Sequence, residues 1–265
     1  MELANRFYES GYFQSAEPDL MLDDRINCSN DTYFDEQWGL KNTLNNGVDI
    51  SICDAWQIST GSNVKVAVLD QGIDLTHPDL AGNIHSLSYD CENGTSPQVV
   101  RGEHGTACAG IIGAVKNTTG VVGVAPNCKL MSISNSFGVN TLSRITRANG
   151  INWAWKNGAD VISNSWASAV QFEVIDNAID SAVVRGRNGL GCVVVFSSGN
   201  KNTSVSYPAY LSNVLAVGAI DRCGKRAGRI DIIPNSCDPW PDNSQPGSSY
   251  GTDLDVVAPK PPIQY

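Results

Sequence analysis

The chain has 265 residues, 42% of them apolar and 17% charged, with a formal net charge of −9 at pH 7. That is enough apolar material for a sizeable core, and the acidic balance argues against nucleic acid or an anionic membrane surface as a partner. No apolar run approaches the length of a membrane span, and Met1-Glu-Leu-Ala-Asn-Arg-Phe7 lacks the basic-then-apolar layout of a signal peptide.

Eight cysteines (28, 53, 91, 108, 128, 192, 223, 237) are many for a cytosolic enzyme, and no C-x-x-C pair suggests zinc or a redox dithiol. Some are therefore expected in disulfides. Cys223 and Cys237 bracket a polar insert and are the expected pair. Cys108, Cys128 and Cys192 lie in apolar, element-like surroundings and are expected to be buried free thiols.

Residues 1–27 differ in character from the rest of the chain. Phe7, Tyr8, Tyr12 and Phe13 stand among charged residues until Ala16-Glu-Pro-Asp-Leu20 breaks the pattern. A turn-rich stretch at Asn30-Asp31-Thr32 leads to a short amphipathic helix over 50–58, stopped by Ser59-Thr-Gly61. Residues 64–70 then read as a buried strand that delivers Asp70 to its C-terminal tip. In an open α/β sheet that tip is where ligands bind.

His104 opens a glycine- and alanine-rich segment to Val115, small enough on all sides to be a buried helix. A strand over 129–134 comes next, then a helix over 142–156 with Trp153 on its apolar side, and a short strand over 160–164. Phe172, Ile175, Ala178, Ile179, Ala182 and Val183 fall at helical spacing, and Asn188-Gly189 is a suitable stop. Residues 191–196 read as a buried strand ending in Ser197-Ser198-Gly199-Asn200, and 213–220 and 254–257 supply two more. The alternation predicts an α/β fold with a mostly parallel sheet covered by helices on both faces. Residues 222–248, rich in Pro, Asn, Asp and Ser, read as a surface insertion.

An enzyme that attacks an amide through a side-chain nucleophile needs a base for the nucleophile's proton, a carboxylate to hold that base in one tautomer, and donors for the oxyanion. Asp70 and His104 supply an acid and a base in that order. His77 and His85 sit in a polar loop, so His104 is the one histidine of three in an ordered apolar setting. Taken singly, Asp70 could be a turn cap, His104 a structural histidine and Asn200 a turn residue.

Together these segments resemble the subtilisin-like serine proteases, the subtilases. The matching stretches are Val66-Ala-Val-Leu-Asp70-Gln-Gly-Ile-Asp74, His77-Pro-Asp79-Leu80, His104-Gly-Thr-Ala-Cys-Ala-Gly110 and Gly123-Val-Ala-Pro126. They continue with Asp160-Val-Ile-Ser-Asn-Ser165-Trp166, Ser198-Gly-Asn200, Tyr207-Pro-Ala209, and Ser249-Tyr-Gly251 through Asp255-Val-Val-Ala-Pro259. The matches are colinear from about residue 30 to 259.

The resemblance implies a subtilisin-like three-layer fold, with His104 as general base, Asp70 orienting it and Asn200 donating to the oxyanion. An extended peptide or protein substrate would pair with backbone around Ser165, Trp166 and Ala167, and Ser198 and Gly199 would form the other wall of the pocket. Trp166 and Ala167 stand where the family often has smaller residues. The loop carrying Val115, Asn117, Thr119 and Val121 resembles the family's structural calcium loop, with Asp31 and Asp79 completing a set of hard oxygen ligands; an ordinary turn would also account for it. Residues 1–27 resemble the end of an inhibitory pro-segment, leaving 28–265 as the peptidase domain. The location implied is extracellular.

The family's nucleophile lies in a Gly-Thr-Ser segment at a helix start after the Val-Ala-Pro strand, and here Pro259 is followed by Lys260-Pro-Pro-Ile-Gln-Tyr265. Gly247-Ser-Ser-Tyr-Gly251 fits G-x-S-x-G, but it precedes a strand rather than a helix. The chain thus reads as an incomplete peptidase domain, with the serine-bearing C-terminal segment and the pro-segment as further partners and no turnover expected from these residues alone. A non-catalytic peptide-binding module and the product of an interrupted gene are the other readings.

Overall fold

A computed structural model describes residues 28–43, 47–138, 140–239, 241 and 245–260. The expected pro-segment remnant, residues 1–27, and the closing residues 261–265 lie outside that set. The run around Asp70 forms strand β1 (Lys65–Asp70). Val66 and Val68 pack to one side with Ile73, Leu80, Ala109 and Leu130, while Ala67 and Leu69 pack to the other with Met131, Ile133, Ile162 and Phe196. A strand covered on both faces has no polar side, and so its sequence shows an unbroken apolar run rather than alternation.

The described residues form six further strands: β2 (Tyr89–Asp90), β3 (Lys129–Ser134), β4 (Val161–Asn164), β5 (Val193–Ser197), β6 (Leu215–Ile220) and β7 (Val256–Pro259). They lie in the order β2-β3-β1-β4-β5-β6-β7, and every pairing is parallel. The chain fills the β3 side of β1 first and then crosses to β4, so the strand order reverses at β1. Such a reversal opens a crevice at the carboxyl ends of the strands. Leu69 pairs with Asn164 and Asn164 with Phe196, so Asp70, Ser165 and Ser197 come one step later along one edge.

Among the described residues four α-helices pack on the sheet and its lead-in: α1 (Ile52–Ile58), α2 (His104–Gly113), α3 (Ser143–Lys156) and α4 (Glu173–Gly189). Ala109 of α2 joins the cluster on the Val66 side. Ala148, Ile151 and Ala154 of α3, and Ile175, Ala178, Ile179 and Ala182 of α4, join the opposite one. Trp153 is on the packed side as expected, stacked on Tyr89 at 5.3 Å. Among the described residues no helix is long and apolar enough to cross a membrane.

Several boundaries differ from the sequence reading. The first helix begins at Ile52 because Ser51 is left-handed (φ 48°). Regular turns of α4 end before Gly186, since Arg187 and Asn188 have φ of 52° and 57°. Strand β5 starts only at Val193 because Gly191 has φ 81°. The two-residue β2 was not anticipated, being too short to show a period. Cys223 and Cys237 are bonded as expected, but a second disulfide, Cys28–Cys53, ties the lead-in to α1. The 222–248 insert is also more than surface. Ala227, Ser236 and Ser248 are buried, and Asp221 holds the insert by accepting from the amides of Cys223, Lys225 and Cys237 and from Ser236 Oγ.

Candidate active site

Asp70 ends β1 with its carboxylate buried, and His104 opens α2 directly beside it. The imidazole Nδ1 lies 2.8 Å from Oδ1 and 2.9 Å from Oδ2 of Asp70, and Oδ1 also accepts from the Gln71 amide at 2.7 Å. Two glycines permit this approach. Gly72 turns the chain with φ 94°, and a Cβ on Gly105 would sit 2.3 Å from the Gly72 carbonyl oxygen. Only without that atom can the first turn of α2 cross so close behind β1.

With Nδ1–H donated to the carboxylate, Nε2 is left as the basic nitrogen. The histidine side chain is 56% exposed, whereas that of Asp70 is 2% exposed. The bond to Asp70, and after it the contact with Cys108, push the His104 pKa up to about 10, because a fixed carboxylate favours the protonated ring.

Cys108 is not in the core, where the sequence reading put it. Its Sγ stands 3.8 Å from His104 Nδ1 and 3.6 Å from Ser165 Oγ. Four residues along a helix return to the same face, so the side of α2 that presents His104 presents Cys108 as well. Cys128 and Cys192 are buried free thiols as expected, and so is Cys91.

The pair lies in a cleft of about 590 Å³ whose lining includes Gln71, Phe137, Arg147 and residues 165–170. Ser165, Trp166 and Ala167, expected to bind substrate, are therefore in the same cleft as Asp70 and His104. Their backbone amides and carbonyls bond to no other described residue, which leaves this stretch of backbone unpaired along the cleft. The bulk of Trp166 is turned down into the cleft floor, where it meets Phe196 edge-on at 5.0 Å and donates from Nε1 to Asn164 Oδ1 at 3.1 Å.

Ser198, Gly199 and Asn200 come directly after β5 at the same edge of the sheet, but they do not line this cleft. Ser198 is buried and its Oγ donates to the Ser249 carbonyl at 3.2 Å. Gly199 has φ 103°. Asn200 is exposed, and its carbonyl accepts from Gly247 at 3.2 Å.

Sequence reasoning missed Phe137 and Arg147. The signal for Arg147 was available: it shares the packed side of α3 with Ile151 and Ala154, one and two turns on, so it is a charge at a core position.

The residues of the second expected site also lie near one another. Asp31 and Asp79 are both buried. Asp79 accepts from the Val121 amide at 2.8 Å and from Asn117 Nδ2 at 3.1 Å, and Asp31 accepts from the amides of Asn117 and Thr118 at 2.9 and 3.1 Å. The carbonyls of Thr118 and Gly120 are taken by Thr32 Oγ1 and the Tyr33 amide. Those of Val115, Thr119 and Val121 alternate with them and accept from no described residue. Burial first, with the nearby Asp31 charge also contributing, raises the Asp79 pKa. Two buried carboxylates without a described cationic partner, beside three carbonyls that accept from no described residue and the Asn117 amide oxygen, which accepts from the Thr119 amide at 2.8 Å, are oxygen donors of the kind calcium takes.

A model described as the subtilase family matches residues 61–260. The chain belongs to the subtilase family. It is 35% identical over 235 residues to thermitase of Thermoactinomyces vulgaris, covering 87% of this chain and 72% of thermitase. Against subtilisin NAT of Bacillus subtilis subsp. natto it is 37% identical over 212 residues, 77% of this chain and 49% of the relative. This subtilase thus spans about half the length of the curated subtilisin. Among solved structures, a protease from Pseudoalteromonas arctica superposes with a TM-score of 0.68 at 28% identity, covering 88% of this chain and 72% of the other. Fervidolysin from Fervidobacterium pennivorans, described as a keratinolytic enzyme related to subtilisin, gives 0.64 at 30% identity, covering 87% and 32%. The α/β subtilisin fold expected from the sequence is the fold of this subtilase, and the family is one of serine endopeptidases.

Proposed function

We propose that the chain carries the acid–base and substrate-binding part of a secreted, calcium-stabilised serine endopeptidase. His104 Nε2 takes the proton of a serine hydroxyl as that oxygen attacks the peptide carbonyl, and the imidazolium then returns it to the departing amine. Asp70 keeps Nδ1 protonated, so the ring presents the right nitrogen and its developing charge is balanced by a fixed neighbour. An extended substrate adds a strand to the open backbone at 165–167, and Asn200 donates to the oxyanion once substrate is bound.

In the family pattern the serine belongs to a segment beyond β7. Asp31, Asp79, Asn117 and the carbonyls of Val115, Thr119 and Val121 would hold calcium, which would neutralise two buried carboxylates and pin the lead-in to the loop after α2.

The observation that carries this reading is the bond of His104 Nδ1 to both Asp70 oxygens at the wall of a cleft with an unpaired backbone edge. It is tested by peptide hydrolysis. His104→Ala is expected to lower kcat by about ten-thousandfold or more. Asn200→Ala should cost on the order of a hundred- to a thousandfold, the size found for such a donor in subtilisin, a relative of this chain. Unchanged turnover in His104→Ala would refute the assignment.

A further inference from the structure

Arg147 has no part in the acid–base chemistry, yet it lines the same cleft. It comes from the packed side of α3 and is only 8% exposed. Its guanidinium lies 5.4 Å from the ring of Phe137 and 5.2 Å from that of Trp166, which are themselves 6.0 Å apart. Nη2 has one long bond, to the Phe137 carbonyl at 3.4 Å. Nε is buried with no acceptor among the described residues, and no described carboxylate forms an ion pair with it.

A buried guanidinium is rare unless paired, because removing a charge from water is costly. The two rings offset part of that cost, but an aliphatic residue would pack beside Ala148 and Ile151 at none. Burial lowers the Arg147 pKa, and the group still stays charged. Asp70 and His104 are the other ionisable residues lining the cleft, and both Asp70 oxygens are engaged by His104. Arg144, one turn earlier, stands over the Phe172 ring at 5.7 Å, and Phe172 also lines the cleft. This end of the cleft is therefore cationic in a chain of net charge −9.

We propose that Arg147 is a specificity residue that receives the carboxylate of an Asp or Glu side chain from the peptide strand laid along Ser165, Trp166 and Ala167. The Phe137 and Trp166 rings hold the guanidinium plane, so its free N–H groups meet a carboxylate already oriented, the arrangement in which arginine outperforms lysine. The assignment deepens the peptidase reading and rests on it in one respect, the path of the substrate strand.

The test uses the full-length protein and a set of internally quenched peptides alike except for Glu, Gln or Lys placed in turn at each of the four positions before the scissile bond. At one position Glu should exceed Gln in kcat/KM by roughly tenfold or more, with Lys below both. In Arg147→Met that ratio should fall to about one, and in Arg147→Lys it should be partly kept. Each ratio is taken on a single preparation, so incomplete folding of a variant cancels. No acid preference at any position, or a Glu to Gln ratio unchanged in Arg147→Met, would overturn the proposal.

Binding of the same peptides, followed by tryptophan fluorescence, separates the two readings. Acid-selective binding lost in Arg147→Met, with no cleavage of any peptide, would uphold Arg147 and refute the endopeptidase. Unselective or absent binding, also without cleavage, would refute both.

Discussion

His104 Nδ1 and the Asp70 carboxylate are joined through both oxygens, at 2.8 and 2.9 Å, across 34 residues of sequence. The bond fixes the tautomer and links the stability and the chemistry of the site to pH. The folded-state pKa of His104 is raised from 6.5 to about 10. The pair's contribution to stability is then fully present below the unfolded pKa and lost as pH rises from 6.5 through about 10. Melting wild type and Asp70→Asn side by side from pH 6 to pH 10.5 should show a gap that narrows with rising pH. The ring is more than half exposed, so water and salt screen the effect. Since the neutral ring is the base, kcat/KM of the full-length protein should rise over the same alkaline range. A gap that stays constant with pH would show that the bond is not the source.

Cys108 should make the site sensitive to thiol reagents. A methylthio group on Sγ needs space 3.8 Å from His104 Nδ1 and would displace the ring. Misplacing a catalytic group by about 1 Å costs on the order of a hundredfold. Cys91, Cys128 and Cys192 are buried with raised pKa values, so they should react slowly. Treatment with methyl methanethiosulfonate should inhibit wild type and spare Cys108→Ala. Equal inhibition of both would assign the effect elsewhere.

Calcium should raise the melting temperature through Asp31 and Asp79. At a concentration about one hundred times Kd the gain is about 2.7 kcal/mol, or about 5–10 °C in a chain of this size. Chelation should reverse it, and Asp79→Asn should remove the response while also relieving the raised carboxylate pKa. A calcium response that survives in Asp79→Asn would place the ion somewhere else.

The sheet was legible because β1 and β3 are buried on both faces, so that Val66-Ala-Val-Leu69 reads as an unbroken apolar run; Val193-Val-Val-Phe196 of β5 is as apolar in sequence although Val193 is exposed. Asp70 and His104 stood out as polar residues at the ends of such elements. Cys108 was misplaced because His104-Gly-Thr-Ala-Cys-Ala-Gly110 is small on every side and shows no polar face; the turn-to-turn rule that pairs residue 104 with 108 was the better guide. Arg147 is a charge among the buried residues of α3, which apolar periodicity alone does not register. The Cys28–Cys53 bond joins residues with no insert between them to mark a pairing, unlike Cys223 and Cys237, and the two-residue β2 carries no period at all.

The most direct test of the central claim is a double-substitution cycle on peptide hydrolysis by the full-length protein. If Asp70 acts only through His104, then Asp70→Asn with His104→Ala should be no slower than His104→Ala alone, because groups that work as a unit are grossly non-additive. A double variant slower by the product of the two single losses would mean that the residues act independently, and would contradict the account.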